Sequence, residues 1–158
     1  MIKKCLIIAG ILFLAACSSG RETTTICELE MDGSRVVKTI EATGDRIDTM
    51  EEVVYTLASW YIDHFGTLFG YETPAELLEW FSDPDNAADV FGLADGMEYN
   101  ARLEGDYIVI SVLSDFNEMA NTDIARVHGV VGDFDYISLE MTVEGLEAQN
   151  ATCRVVED

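Results

Sequence analysis

Basic residues are scarce in this chain. Lysine and arginine number 9 against 30 aspartates and glutamates, which gives a formal net charge of −21. A protein that binds nucleic acid needs lysines and arginines to replace the counterions of the phosphates, so this balance excludes nucleic acid as a partner. Direct adhesion to anionic lipid is disfavoured for the same reason. The acidity could attract cations or basic peptides, or it could simply keep the protein soluble.

A hydrophobic run long enough to cross a membrane is also missing. The longest run, from Cys5 to Cys17, has 13 residues, whereas a transmembrane helix needs about 20. Lysines precede this run and small alanines lie at its end, a pattern that is typical of a signal peptide. The sequence therefore predicts a signal peptide over residues 1–16 that is removed on export.

The last part of this segment, Leu14-Ala15-Ala16-Cys17, resembles the lipobox of bacterial lipoproteins. In that family the cysteine carries a diacylglyceryl group on its sulfur, and the chain is cut just before it. Several acyl chains hold a protein stably at a membrane, whereas one is marginal. The resemblance implies a lipidated Cys17, a polar tether over 17–25 and one acidic domain over 26–158 that faces outside the cytoplasm. An ordinary secreted protein is the alternative.

Few cysteines remain once the signal peptide is removed. Of the 4 in the chain, Cys5 leaves with the signal peptide and Cys17 takes the lipid, so Cys27 and Cys153 are left. They lie near the two ends of the folded part, in a chain exported to a compartment where disulfides persist. We predict that they form a disulfide. Two free thiols or a metal pair are the alternatives, and the lack of a CxxC motif or neighbouring histidines makes metal the poorer one.

Alternation of polar and apolar residues predicts two β-hairpins. In the first, residues 24–31 and 35–42 flank the turn signal Asp32-Gly33-Ser34. The second covers 97–114, and its second half, 107–113, is almost continuously apolar. Such a run is expected in an interior strand with both faces covered.

Apolar side chains spaced by three and four residues predict one long helix over Thr49–Phe65, with Thr49 and Glu52 as its capping box. Shorter helices are predicted after Thr73-Pro74, after Asp83-Pro84, over 117–127 and over 138–149. An extended segment over 153–156 would return beside the first strand. The fold class is therefore α+β, a small antiparallel sheet of about four to five strands packed against one long helix and several short ones.

The order of these parts has a counterpart in a known family. A lipobox cysteine precedes Cys27 in the first strand, a hairpin runs into a helix, a second hairpin ends in Asp115-Phe116, and Tyr136-Ile137-Ser138-Leu139 opens a closing helix. This order resembles the small bacterial lipoproteins of the YehR-like family, whose function is not established. Members often carry many lysines and a glycine where Asn150 stands. The resemblance implies a lipid-anchored extracytoplasmic module and no known catalytic residues.

No residue set in the chain predicts a reaction. A transition-metal site would need His64, His128 and a carboxylate to converge, and there are no other histidines. A calcium loop over 83–89 fails because Ala87 and Ala88 stand at ligand and glycine positions. No GxSxG motif is present, and no pair stands out among the 30 acids as the two carboxylates of a glycosidase. A further set of aromatic residues would line a ligand groove or belong to the core: Trp60, Tyr61 and Trp80.

These observations lead to an expected function. We expect a lipid-anchored extracytoplasmic lipoprotein that acts as a non-catalytic binding or interaction module of the cell envelope, without a cofactor or metal. Its partners would be the membrane, through Cys17, and an unidentified envelope component or protein. The alternative is a lipoprotein that binds a small ligand or divalent cation, favoured by an apolar pocket between helix and sheet on which carboxylates converge. An envelope hydrolase would need two carboxylates in a cleft.

Overall fold

The computed structural model describes most of the part of the chain that follows the predicted signal peptide. The described residues are 20–66, 68, 70–128 and 135–156. The predicted signal peptide, residues 1–16, and the predicted lipidation site Cys17 lie outside them. Over the described part of the chain, no helix is both long enough and apolar enough to span a membrane.

Six strands form one antiparallel sheet within the described residues. The strands are β1 (Glu22–Met31), β2 (Ser34–Thr43), β3 (Arg46–Leu57), β4 (Met97–Glu104), β5 (Tyr107–Asp115) and β6 (Thr152–Val156). Their order across the sheet is β4-β5-β3-β2-β1-β6. Both predicted hairpins are confirmed, as β1–β2 and β4–β5. The interior position predicted for β5 is confirmed as well, since Ile108 and Val109, which point to opposite faces, are both fully buried.

Short helices follow the strands along the chain. They are α1 (Ala58–Tyr61), which continues into a π-helical turn (Ile62–Gly66), α2 (Pro74–Ser82), α3 (Pro84–Phe91), α4 (Asn121–His128) and α5 (Leu139–Ala148). The starts of α2 and α3 are as predicted. Thr73 and Glu76 form a complete capping box, and Asp83 caps α3 by accepting from the amides of Asp85 and Asn86.

The prediction of one long helix over Thr49–Phe65 is wrong in its first half. Strand β3 runs through Leu57, and the chain becomes helical only at Ala58. The sequence Val53-Val54-Tyr55-Thr56 consists of β-branched and aromatic residues, which suit a strand flanked on both sides. This strand, placed between β2 and β5, is the reason that the sheet has six strands rather than about four to five.

The supposed capping box of that helix makes contacts between strands instead. The Thr49 hydroxyl donates to the Glu41 carboxylate across the β2–β3 pair at 3.0 Å. Glu52 forms an ion pair with Lys38, its partner in the register of the same two strands. The local spacing of Thr49 and Glu52 fits the start of a helix. Their side chains instead find their partners on the neighbouring strand β2.

The described helices all pack on one face of the sheet and form two hydrophobic clusters with it. The first cluster lies under α4 and α5 and is built around Cys27, Ile40, Ile47, Met50, Phe116, Met119 and Ile124. The second lies under α1, α2 and α3 and is built around Ala58, Leu77, Phe81, Ile108 and Ile110. The boundary between these clusters crosses the middle of the covered face.

The predicted cysteine pair lies at the edge of the sheet. Strand β6 pairs with β1 so that Cys153 stands opposite Cys27, and the two sulfur atoms are 2.08 Å apart, at disulfide distance. This geometry fits the predicted disulfide. In the turn that leads into β6, Asn150 adopts a left-handed conformation with φ of 70°.

Asp45, in the β2–β3 turn, fixes the start of α5. Its carboxylate accepts from the Glu140 amide at 2.9 Å and from the Ser138 hydroxyl at 3.0 Å. These bonds, the amide first, lower the pKa of Asp45. The same Ser138 hydroxyl accepts from the Met141 amide and so caps α5. The arrangement holds α5 over the first cluster.

Candidate binding cleft

Two charged residues interrupt the covered, apolar face of the sheet. Lys38 and Glu52 are partners across β2 and β3, and their Nζ and Oε2 atoms are 2.5 Å apart. Two residues further along each strand, Ile40 and Met50 form the next pair on the same face and belong to the first cluster. Removing charges from water is costly, and an ion pair returns only part of that cost. A charged pair at this position therefore suggests a functional role rather than a stabilising one.

A cavity of about 380 Å³ opens above this ion pair; we call it the polar cleft. Its floor is two neighbouring rows of the sheet, formed by Lys38, Met50, Glu52, Met97, Val112 and Ser114. Its walls come from the end of α3, with Val90 and Phe91, and from the end of α4, with Val127 and His128. The cleft thus lies at the boundary between the two hydrophobic clusters.

The polar cleft is reachable from solvent. The Lys38 and Glu52 side chains are 23% and 35% exposed, and Val90, on the wall, is 52% exposed. A smaller cavity of about 150 Å³ lies on the α5 side and shares Lys38, Met50 and His128 with the cleft. Lys38 and His128 therefore lie between the polar cleft and this smaller cavity.

His128 supplies a third polar group. Its ring packs edge-on against Phe116, with centroids 5.0 Å apart. Its Nε2 atom is buried and has no hydrogen-bond partner among the described residues. Burial lowers the pKa of His128, the positive charge of Lys38 lowers it further, and the Glu52 carboxylate acts in the opposite direction. Together these effects favour the neutral form of the ring.

The lowered pKa of His128 predicts a pH dependence of stability. Because the unfolded chain takes up this proton at a higher pH than the folded one, the free energy of unfolding should fall as the pH drops below about 6.5. We expect His128→Gln to reduce this loss between about pH 7 and about pH 5.5, measured by urea unfolding. His64→Gln, at an exposed position, is the matched control. An identical pH dependence in the wild type and His128→Gln would contradict the assignment.

The structure does not assemble the other sites considered from the sequence. His64 stacks on Trp60 with centroids 4.4 Å apart, while His128 lies in the cleft, so the two histidines have separate surroundings. Over the described stretches, no group of three or more histidine, cysteine, aspartate or glutamate residues is placed to hold a metal ion. Asp83, at the start of the segment 83–89, is the cap of α3.

The aromatic residues Trp60, Tyr61 and Trp80 do not form the cleft. Tyr61 packs on Phe81 with centroids 5.1 Å apart, and Trp80 packs on Tyr71 at 6.1 Å. Tyr61 and Trp80 flank the second cluster. Tyr61 and Trp80 therefore belong to the packing of α1 and α2 on the sheet and do not line a ligand groove.

The sequence did not identify Lys38 and Glu52 as residues of a candidate site. The signal that could have found them is strand alternation, since Lys38 has the same parity as the inward residues Val36 and Ile40 of β2. Charged residues are rare on the inward face of an amphipathic strand, so a lysine at this position indicates a functional role.

A second surface feature lies at the end of the sheet that carries the β1–β2 and β4–β5 turns. It is an open groove of about 540 Å³; we call it the distal groove. Met31 and Tyr107 line it and are 51% and 41% exposed. Within it the Arg35 guanidinium lies over the Tyr55 ring, 4.8 Å from the centroid. The distal groove thus combines exposed apolar surface with one stacked cation.

Comparison with known proteins gives the fold. No protein-family profile and no curated protein matches the sequence. The NMR structure of the E. coli YehR protein is 13% identical with a TM-score of 0.61, over 88% of this chain and 95% of that chain. The NMR structure of a protein from Streptococcus pneumoniae TIGR4 is 15% identical with a TM-score of 0.54, over 98% of each chain. The predicted resemblance to YehR is thus confirmed for the fold, while lipidation stays a prediction.

Proposed function

We propose that this chain is a lipid-anchored, extracytoplasmic, non-catalytic binding protein of the cell envelope, and that its polar cleft takes a small ligand. The observation that carries the proposal is that Lys38, Glu52 and His128 line one solvent-reachable cavity. Ligand sites are typically concave, mostly apolar and equipped with a few convergent polar groups. The polar cleft has this composition.

The proposed anchor would keep the cleft close to the membrane. Strand β1 begins at Glu22, shortly after the lipobox cysteine Cys17. Residues 22–25 of the predicted tether thus belong to the sheet. A fully extended chain spans at most about 3.6 Å per residue, so the segment from Cys17 to Glu22 reaches at most about 18 Å. The domain would then act at the membrane surface rather than far from it.

A binding role fits the cleft better than a catalytic one. Ser114 and His128 both line the cleft, but the Nε2 atom of His128 has no hydrogen bond to any described residue, Ser114 included. A serine nucleophile needs such a contact with its base. Glu52 is the one carboxylate among the lining residues, whereas glycoside cleavage uses two. These features support the proposal that the chain is not an enzyme.

Closing the mouth of the cleft tests this function. Val90 is exposed on the cleft wall, so Val90→Trp should cover the opening without disturbing the core. Full-length protein in detergent micelles is dialysed against a small-molecule extract of the producing cells, and retained compounds are identified by mass spectrometry. We expect the wild type to retain a compound that Val90→Trp retains about tenfold less.

The matched control is Val155→Trp, at a position on β6 that is 61% exposed and lies outside the cleft. This variant should retain the compound as the wild type does. Equal retention by the wild type and Val90→Trp, or no retention by the wild type, would contradict the proposed ligand site.

A second candidate function is the docking of a protein or envelope component, as expected from the sequence. The exposed Met31 and Tyr107 of the distal groove favour it. The turn between β1 and β2 lies at the opposite end of β1 from the tether, so this groove would point away from the membrane. The same dialysis separates the two candidates, because Val90→Trp leaves the distal groove unchanged.

A further inference from the structure

We infer that the ligand of the polar cleft is a small zwitterion with an apolar side chain, of the amino-acid type. The inference rests on the proposed ligand-binding function and specifies the chemical class of the ligand. It is drawn from the opposite charges of Lys38 and Glu52 on the floor of the cleft, the apolar walls above them and the volume between.

The paired charges favour a ligand that carries both signs. Lys38 Nζ and Glu52 Oε2 contact each other, so a ligand that enters must compete with this contact or extend it. A zwitterion offers its carboxylate to Lys38 and its ammonium to Glu52, and each protein charge keeps a partner. A ligand with a single charge leaves one of the two protein charges without a partner, which is costly in a partly buried site.

The net charge of the whole chain also favours a ligand without net charge. With a formal net charge of −21, the protein repels small anions from its surface. A small cation is attracted by that field, but it meets the positive charge of Lys38 inside the cleft. A zwitterion has no net charge, so the field does not oppose its approach.

The walls and size of the cleft define the rest of the ligand. The walls above the ion pair carry the apolar side chains Val90, Phe91 and Val127, and Met97 and Val112 add apolar surface to the floor. The volume of about 380 Å³ is at the lower end of the range of roughly 300–1,000 Å³ for ligand sites. These dimensions suit an amino acid with an apolar side chain rather than a nucleotide or a phospholipid.

His128 is a further polar residue on the wall of the cleft. Its buried Nε2 has no hydrogen-bond partner among the described residues, and buried polar groups are normally paired. The bound molecule would be held by Lys38, Glu52 and the apolar wall, with His128 adding polarity beside them.

Three probes that share an apolar side chain and differ in their charged groups test the inference. Full-length protein in detergent micelles is titrated calorimetrically with L-leucine, with isocaproate, which lacks the ammonium group, and with isoamylamine, which lacks the carboxylate. We expect L-leucine to bind about tenfold or more tightly than either analogue, because each analogue loses one charge-assisted contact. Equal affinity for L-leucine and either analogue would overturn the inference.

Variants assign each charge to one end of the ligand. Lys38→Met should bind L-leucine no better than isoamylamine, and Glu52→Gln should bind it no better than isocaproate. The matched controls are Arg102→Met and Glu104→Gln, which break an exposed ion pair outside the cleft. Both controls should keep the preference for L-leucine.

A charge exchange covers the case in which a single variant fails to fold. Lys38→Glu combined with Glu52→Lys retains an ion pair, and it should bind L-leucine more tightly than either analogue. If L-leucine does not bind while Val90→Trp still lowers retention of another compound, the zwitterion inference fails and the ligand-binding function stands. If Val90→Trp changes nothing, the proposed function itself fails.

Discussion

Replacing Cys17 with serine is expected to abolish the incorporation of labelled fatty acid into this protein. In lipoproteins the lipid is attached to the sulfur of the lipobox cysteine, and serine has no thiol to accept it. Each buried CH₂ of such a chain contributes about 0.8 kcal/mol to membrane binding. The formal net charge of −21 disfavours direct adhesion to anionic lipid, which would otherwise replace the lipid anchor. Because serine offers no thiol, the loss of label should be complete.

Cys5→Ser is the control for this experiment, because Cys5 lies within the same predicted signal peptide but is not the lipobox cysteine. It should be labelled as the wild type is. Metabolic labelling followed by purification and gel autoradiography measures the result directly. Label on Cys17→Ser would show that another residue carries the lipid.

Removing the Cys27–Cys153 disulfide should cost a large part of the stability. The two cysteines are 126 residues apart in sequence, and closing a loop of this length restricts the unfolded chain by about 5 kcal/mol in the chain-entropy model. Native domains are stable by only about 5–15 kcal/mol. We expect the double variant Cys27→Ala with Cys153→Ala to lose most of this amount, measured by urea unfolding.

Reduced wild-type protein provides the control, since it should unfold at the same urea concentration as the double variant. The oxidised protein should also be lighter than the reduced protein by two hydrogen atoms in its intact mass. An unchanged urea midpoint in the double variant, or equal masses, would refute the disulfide.

Much of the fold could be predicted because its signals are local. Thr73-Pro74 and Asp83-Pro84 specify helix starts through the chemistry of adjacent residues, and both starts are where the sequence places them. The hairpin turns depend on short polar segments in the same way. Signals of this kind do not need knowledge of the neighbouring strands.

Strand β3 could not be predicted in this way, because its signal is ambiguous. Met50, Val53, Val54 and Leu57 fit a helical stripe, yet the same residues fit an interior strand that has apolar neighbours on both faces. The pairing of β3 with β2 and β5 over nearly its whole length makes this segment a strand rather than a helix. That pairing is long-range information that spacing within one segment does not contain.

Because the sequence predicts a helix where β3 lies, it also does not predict the candidate site. On a helix, Glu52 is an ordinary capping residue, whereas on β3 it stands on the covered face beside Lys38. From the sequence, His128 is a candidate metal ligand only together with His64. Its actual neighbours come from β2, β3 and the Phe116 ring. Sites built across several strands need the register before they can be recognised.

The dialysis of the wild type and Val90→Trp against a small-molecule extract tests the central claim most directly, because it asks whether the polar cleft holds a ligand. The account predicts that the wild type and Val155→Trp retain the same compound and that Val90→Trp retains about tenfold less of it. Equal retention by all three proteins, or none by the wild type, would contradict it.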